Sequence, residues 1–216
     1  MTTSNKSINH EMQGLMFRPI FLGAHQAIDF LNTLSESGGI VQEFISDGLS
    51  FVNWLRLADL LNKEQQAYVT AHFSVRALNQ IAERARLERE WTRQWIGKLC
   101  KGSKINYAAD AAHLNNLIDL CHYQFALTGR PVRLGPSCAV ERIPRLDNAQ
   151  ALLGLVAEPI AHLVACEDLK LIKTCAALNC NHWFLDVSKS HKRLYCSATT
   201  CGNRAKVAAF RTRQKK

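Results

Sequence analysis

Two pairs of closely spaced cysteines near the C-terminal end constrain this chain more than any other feature. Four residues separate Cys175 from Cys180 and Cys196 from Cys201, and fifteen residues lie between the two pairs. A short loop lets both thiolates of a pair face one ion, and four such ligands satisfy tetrahedral Zn²⁺. So short a segment has little apolar core, and metal binding supplies the missing folding free energy. We therefore predict one structural Zn²⁺ per chain, held by these four cysteines, with no open catalytic position.

The remaining candidate metal ligands fit this pattern less well. His182 and His191 are rival ligands, but His182 is two residues from Cys180 and would crowd it. We therefore expect both histidines near the nucleic-acid face or in solvent. Four further cysteines show no paired spacing and are expected to be small core residues. These are Cys100, Cys121, Cys138 and Cys166.

The net charge of +9 belongs entirely to the C-terminal end. Residues 171–216 hold ten lysines and arginines and one acid, Asp186, whereas the first 170 residues hold 17 of each sign. A neutral body with a basic end is typical of a module that binds a polyanion such as DNA, and a solubilising tail is the alternative. The residues expected to contact nucleic acid are Lys192, Arg193, Arg204, Lys206, Arg211 and Arg213.

The length and composition describe a globular protein. A chain of 216 residues, 47% of them hydrophobic, fits one ordinary domain plus a small appendage. No apolar run reaches the roughly 18 residues that span a bilayer, and the first residues lack the apolar stretch of a secretory signal. We expect a cytoplasmic protein with reduced cysteines, no membrane partner and a disordered N-terminus over residues 1–16.

The body, residues 17–170, is predicted to be mainly α-helical with a minor β-hairpin, an α+β fold. Asp47 is the expected N-cap of one helix, and Asn62 with Gln65 forms the capping box of another. Apolar spacing also predicts a strand over 17–22 and a β-hairpin over 131–144. Further helices are predicted from 25 to Gly38-Gly39, over 75–100, over 108–127 and from Asp147 onward. Pro159 is expected to kink or divide the last of these helices.

A polar face on the first predicted helix raises a separate question. His25, Asp29 and Asn32 fall on this face together with Glu36, opposite a set of apolar residues. One interpretation is a solvated face, or a carboxylate that fixes a neighbouring loop by hydrogen bonds. The other is the polar wall of a small-molecule pocket in a sensory body. The sequence leaves both open.

The C-terminal residues resemble a known family. Residues 175–206, with the tetrapeptide Cys201-Gly202-Asn203-Arg204, resemble the CGNR zinc finger. The stretch FLGAHQAIDFLNTL resembles the opening of the ABATE domain, described as a stress-induced transcription regulator. Its G-x-x-x-A-x-D-F-x-N-T pattern is matched by Gly23, Ala27, Asp29, Phe30, Asn32 and Thr33. Tyr195 departs from the tryptophan usual in the family.

This resemblance implies an ABATE-like regulatory domain over 17–170 and a treble-clef-like or ribbon-like CGNR finger with a basic tail over 171–216. Together with the charge partition, it predicts a zinc-dependent DNA-binding transcriptional regulator whose body senses a small molecule or forms a homodimer. The alternative is a protein-interaction or RNA-binding module with the finger as scaffold. We do not expect an enzyme, because the sequence contains none of the motifs G-x-G-x-x-G, P-loop, H-E-x-x-H or G-x-S-x-G.

Overall fold

The computed structural model describes residues 19–104, 106–129 and 138–214. The expected disorder of residues 1–16 lies outside these ranges. Within them the α-helices are α1 (Gln26–Leu31), α2 (Gly48–Leu57), α3 (Lys63–His72), α4 (Val75–Cys100), α5 (Tyr107–Ile118), α6 (Ala151–Cys166) and α7 (Asn203–Gln214). The antiparallel strand pairs in the same part of the chain are β1 (Leu34–Ser37) with β2 (Ile40–Glu43), β3 (Tyr123–Gly129) with β4 (Cys138–Pro144), and β5 (Ile172–Thr174) with β6 (Trp183–Leu185). The prediction of a mainly helical α+β fold is confirmed.

Side-chain caps start several of the described helices, among them α2, α3 and α4. The Asp47 carboxylate accepts a 2.7 Å hydrogen bond from the backbone N–H of Ser50 at the start of α2. Asn62 and Gln65 form the predicted reciprocal capping box before α3, with both bonds at 2.8 Å. Ser74 caps α4. These bonds satisfy N–H groups that a helix cannot pair internally, which is why the starting residues were predictable from sequence.

The long helix α4 lies against the main core. Its apolar stripe, including Leu78, Ile81 and Ala85, is buried as predicted. At the crossing of α2 and α4, a Cβ on Gly48 would lie 2.4 Å from the Leu78 backbone, so only glycine permits this approach. Among the described residues, no helix combines the length and apolarity needed to cross a bilayer.

The region after α5 differs from the prediction. The helix expected over 108–127 ends at Ile118, and β3 pairs with β4 from Tyr123↔Pro144 to Gly129↔Cys138. Phe125, which falls within the helix expected over 108–127, is 73% exposed on the strand. Residues 123–127 therefore form a strand, because pairing with β4 at seven positions determines their structure more than their short helical periodicity does. The predicted hairpin is present, but its first strand precedes 131–144, and residues 130–137 lie outside the described ranges.

Two further helix boundaries and the expected first strand were also wrong. The first helix ends at Leu31, and Gly38-Gly39, both at positive φ, form the turn between β1 and β2. The last body helix begins at Ala151 without a side-chain cap, and not at Asp147. It continues through Pro159, so this proline does not divide it. No strand forms over 19–22, the described part of the expected first strand.

The C-terminal module packs directly on the body. Ile172 of β5 and Leu185 of β6 are 6% and 3% exposed and belong to the main core. The Asn32 side chain donates to the Trp183 carbonyl and accepts from its N–H, both at 2.9 Å. The Leu185 N–H donates to the Gly23 carbonyl at 2.9 Å. The two parts thus share a core and a seam of hydrogen bonds. The domain boundary predicted near 170 stays a prediction.

Candidate functional site

Four cysteine sulfurs converge at the C-terminal end of the chain. Cys175 and Cys180 flank the loop between β5 and β6, whereas Cys201 lies in a π-helical turn, Ala198–Gly202, that leads into α7. Cys196 lies two residues before this turn, next to its N-cap Ser197. The second ligand pair therefore lies at the beginning of a helix, which corresponds to the treble-clef-like alternative for the finger.

The sulfur positions fit a tetrahedral zinc ion. The Sγ atoms of Cys180, Cys196 and Cys201 lie 3.6–3.8 Å apart, and all four sulfurs lie within 4.8 Å of one another. Four ligands at about 2.3 Å from a tetrahedral centre would be ~3.8 Å apart. The four cysteines predicted as ligands therefore form a cluster that could hold a metal ion.

The surroundings set the protonation of these thiols. Burial raises the pKa of Cys180 to about 11, and burial together with the neighbouring sulfurs raises the pKa of Cys196 further. Burial also opposes ionisation of Cys175, but N–H groups of Cys196 and Ala177 lower its pKa below the ordinary value. The Cys196 N–H lies 3.4 Å from this sulfur. A dication favours all four thiolates, so its binding must release protons.

His182 supports the cysteine cluster from inside the protein. Its side chain is 2% exposed, with Nδ1 3.5 Å from the Cys196 sulfur and Nε2 2.6 Å from the Ser35 hydroxyl. The expectation of a surface position is therefore wrong for His182, while His191 is exposed. His182 joins the cluster to β1, a contact between distant residues that no local sequence pattern indicates.

Asp186, the one acid of residues 171–216, organises the loop after β6. Its buried carboxylate accepts hydrogen bonds from the Lys173 ammonium at 2.6 Å, the Ser188 hydroxyl at 2.6 Å and the Arg193 N–H at 2.9 Å. Burial alone would raise the pKa of Asp186, but these donors hold it well below the ordinary range. The loop is thus folded around a carboxylate that stays ionised.

Two of the six predicted nucleic-acid residues make structural contacts. Arg193 lies over the Phe184 ring, 4.4 Å from its centroid, and donates to the carbonyls of Tyr195 and Cys196. The Arg204 guanidinium reaches the turn between β1 and β2, where it donates to the Ser37 hydroxyl at 2.8 Å. Both arginines therefore hold the finger together or join it to the body.

The other four predicted residues face solvent. Lys192 lies on the loop before Cys196, and three more lie along α7: Lys206, Arg211 and Arg213. No residue of α7 is buried, and Val207 and Phe210 on the same helix are 48% and 56% exposed. The terminal helix thus projects from the cysteine cluster with basic and apolar side chains accessible.

The proposed pocket residues separate into two environments. Asp29 is buried and accepts a 2.7 Å bond from the Gly23 N–H, while burial raises its pKa to about 6. Asn32 is 1% exposed and bound to Trp183. His25 caps α1 through Nδ1 and lines a cleft of about 1060 Å³. Asp29 and Asn32 fix neighbouring backbone, and His25 alone of the three reaches the cleft.

One other group of ligand atoms lies at the edge of that cleft. Nitrogen and oxygen atoms of His25, His162 and Glu167 lie within 4.8 Å of one another. Nδ1 of His25 already accepts the 3.2 Å cap bond from Ala27, so metal coordination through Nε2 would require the ring proton to move to Nδ1. This makes the group a poorer metal ligand set than the four thiolates.

The four-cysteine cluster, the terminal helix and the helical body define a zinc-finger protein with a helical N-terminal part. The CGNR zinc finger family matches residues 172–214, and the ABATE family, described as "Putative stress-induced transcription regulator", matches residues 24–167. The chain therefore belongs to the ABATE family and carries a C-terminal CGNR zinc finger, as the sequence predicted. A search of curated proteins gave no match.

Proposed function

We propose that this protein is a zinc-dependent DNA-binding transcription regulator. One Zn²⁺ held by the four cysteines would order the finger, and α7 would present basic side chains to DNA phosphates. The observation that carries this proposal is the location of charge. All of the net +9 lies in residues 171–216, and none of the residues of α7 is buried. The ABATE family description supports a regulatory role.

Zinc has a specific task in this proposal, because little else holds α7 in place. The helix has twelve residues and none is buried, so packing contributes little to its position. An isolated helix of this length is marginal in water. It begins two residues after Cys201, and Arg204 in its first turn reaches β1. A metal that fixes Cys201 would therefore fix the direction in which α7 projects.

The charges that remain accessible set the expected salt dependence. Among the described residues of the basic end, Lys173, Arg193 and Arg204 make structural contacts. The accessible ones are Lys189, Lys192, Lys206, Arg211 and Arg213. Each phosphate contact adds about −0.9 to the slope of log affinity against log salt, so five contacts give roughly −4.5.

A charge-matched comparison tests the DNA-binding proposal. Arg211→Ala with Arg213→Ala should flatten the salt slope by roughly 1.8, because two phosphate contacts are lost. Lys63→Ala with Arg76→Ala removes the same charge from exposed positions on the body and should leave the slope unchanged. Fluorescence anisotropy with two unrelated duplexes at several salt concentrations measures both. Equal slopes for the two double variants would remove α7 from the DNA interface.

A protein partner is the second candidate, favoured by the exposed Val207 and Phe210 on α7. An apolar contact would respond little to salt, unlike phosphate binding. Val207→Ser with Phe210→Ser should then abolish association with a protein partner, including a second copy of this chain, while duplex affinity is retained. Sedimentation analysis and anisotropy on the same variant separate the two functions. If DNA affinity collapses and association is unchanged, the protein-partner candidate fails.

The sensing role would use the cleft that His25 lines. Arg142 and Glu158 form an ion pair on its wall, and the Arg142 guanidinium lies 3.5 Å from the centroid of the Tyr123 ring. A ligand that binds only the folded protein raises its Tm. A thermal-shift screen of small molecules against wild type and Arg142→Ala tests this role. Hits that shift both proteins equally would bind elsewhere, which would contradict an effector site in this cleft.

A further inference from the structure

A cleft between the body and the finger has a one-sided charge. It measures about 800 Å³ and lies between the C-terminal half of α4 and strands β5 and β6. Its lining, over the residues that the structure describes, contains five lysines and arginines and no aspartate or glutamate. The basic residues are Arg93, Lys98, Lys101, Lys173 and Arg193.

The basic side chains of the cleft differ in what they already contact. Lys173 and Arg193 are bound within the finger, and Arg93 pairs with Glu90. The ammonium groups of Lys98 and Lys101 are exposed and form no ion pair with any described residue. The C-terminal end of α4 adds partial negative charge, about half an elementary charge, which these two lysines more than offset. The cleft therefore attracts anions.

Apolar side chains form part of the lining of this cleft. Trp183 lies in its wall with Ile172 and Leu194 beside it. Gly97 of α4 faces the indole, and a Cβ built on this glycine would lie 3.5 Å from the ring, an ordinary contact distance. A glycine within a helix is about 1 kcal/mol less favourable than alanine. Packing against Trp183 gives no reason for that loss of stability, so the missing Cβ points to a space kept free for a ligand.

We propose that this cleft binds a small planar anion: an aromatic ring carrying a carboxylate, sulfonate or phosphate. The ring would lie against Trp183 over Gly97, and the anionic group would contact Lys98 and Lys101. Stacking on an indole and pairing with lysines are both stronger in a partly dry cleft than in water. The site is formed by both the body and the finger, and its existence does not depend on the proposed DNA-binding role.

Calorimetric titration of the zinc-loaded full chain with 2-naphthoate tests the proposal. Neutral 2-naphthamide, which keeps the ring, should bind about tenfold or more weakly, because the charge contact is lost. Inorganic phosphate, which keeps only the charge, should also bind at least tenfold more weakly. Lys98→Gln with Lys101→Gln should weaken naphthoate binding about tenfold. Arg76→Gln with Lys170→Gln removes the same charge from exposed positions that line neither cleft, and should leave this binding unchanged.

Gly97→Ala provides the sharper test, because it should move two measurements in opposite directions. It should raise the Tm of the ligand-free protein, since alanine is the better helix former, and weaken naphthoate binding about tenfold by occupying the space over Gly97. A lowered Tm would mean that packing requires this glycine. Naphthoate binding equal to wild type in Gly97→Ala or in the double lysine variant would overturn the site. Duplex DNA binding lost in the lysine variant, with no naphthoate binding by wild type, would assign the cleft to the DNA backbone instead.

Discussion

Replacement of Asn32 by alanine would break the central hydrogen bonds between the body and the finger. The Asn32 amide makes two 2.9 Å bonds to the backbone of Trp183, one to the carbonyl and one from the N–H. The side chain is 1% exposed, so water cannot simply take its place. Asn32→Ala therefore removes both bonds and leaves two backbone groups without a partner.

The magnitude follows from those two groups. A buried donor or acceptor left unpaired costs about 1–3 kcal/mol. Trp183 is half-buried, which places each group toward the lower part of that range. We expect Asn32→Ala to lower the free energy of unfolding by ~2–4 kcal/mol. This is a large part of the 5–15 kcal/mol typical of a folded domain, so Tm should fall by about 5–10 °C.

Urea unfolding of the zinc-loaded protein, followed by tryptophan fluorescence, measures this loss. Asn116→Ala, a change of the same type at an exposed position on α5, is the control and should stay within about 0.5 kcal/mol of wild type. Asn32→Asp keeps the acceptor but loses the donor and should be destabilised as well. If Asn32→Ala matched the Asn116 control, the proposed hydrogen-bonded seam would be irrelevant to stability.

Three other predictions concern the buried carboxyl, the β1–β2 turn and the metal. Burial raises the pKa of Asp29 to about 6, so the folded protein loses stability as pH rises and this carboxyl ionises. Between about pH 5 and about pH 7.5, the free energy of unfolding measured in urea should fall by ~1 kcal/mol more for wild type than for Asp29→Asn. Gly38 and Gly39 both have positive φ, but only a Cβ on Gly38 meets the Arg204 side chain, at 2.4 Å. Thermal melts should therefore show Gly38→Ala less stable than Gly39→Ala by ~1 kcal/mol. In an Arg204→Ala background the two alanine variants should be equally stable. Elemental analysis should find about one zinc per chain, reduced to near zero in Cys196→Ser, and full retention of zinc would exclude Cys196 as a ligand.

Features with a local physical cause were predictable from sequence. The cysteine cluster follows from ligand spacing, and the starts of α2 and α3 follow from their capping residues. The length of α4 follows from one continuous apolar stripe. Each of these features depends on residues close in sequence, where chain geometry restricts the alternatives.

Features that depend on distant contacts were missed. β3 was assigned to a helix because the pairing with β4 is not visible in its own sequence. Cys166, expected in the core, is exposed, whereas Cys121 is buried as expected and Cys100 is half-buried; the side chain of Cys138 lies outside what the structure describes. The core position of Ile172 likewise depends on how the finger docks on the body. None of these outcomes has a signal in local spacing.

A DNA-binding helix that zinc holds in place is central to the proposed function. The most direct test is a duplex DNA titration, at one fixed salt concentration, of the zinc-loaded protein, of the chelated protein and of the same sample after zinc is restored. We predict tight binding by the first, at least about a tenfold loss in the second and full recovery in the third. Circular dichroism on the three samples should show the body helices intact throughout. Equal DNA affinity with and without zinc, while the body stays folded, would contradict the account.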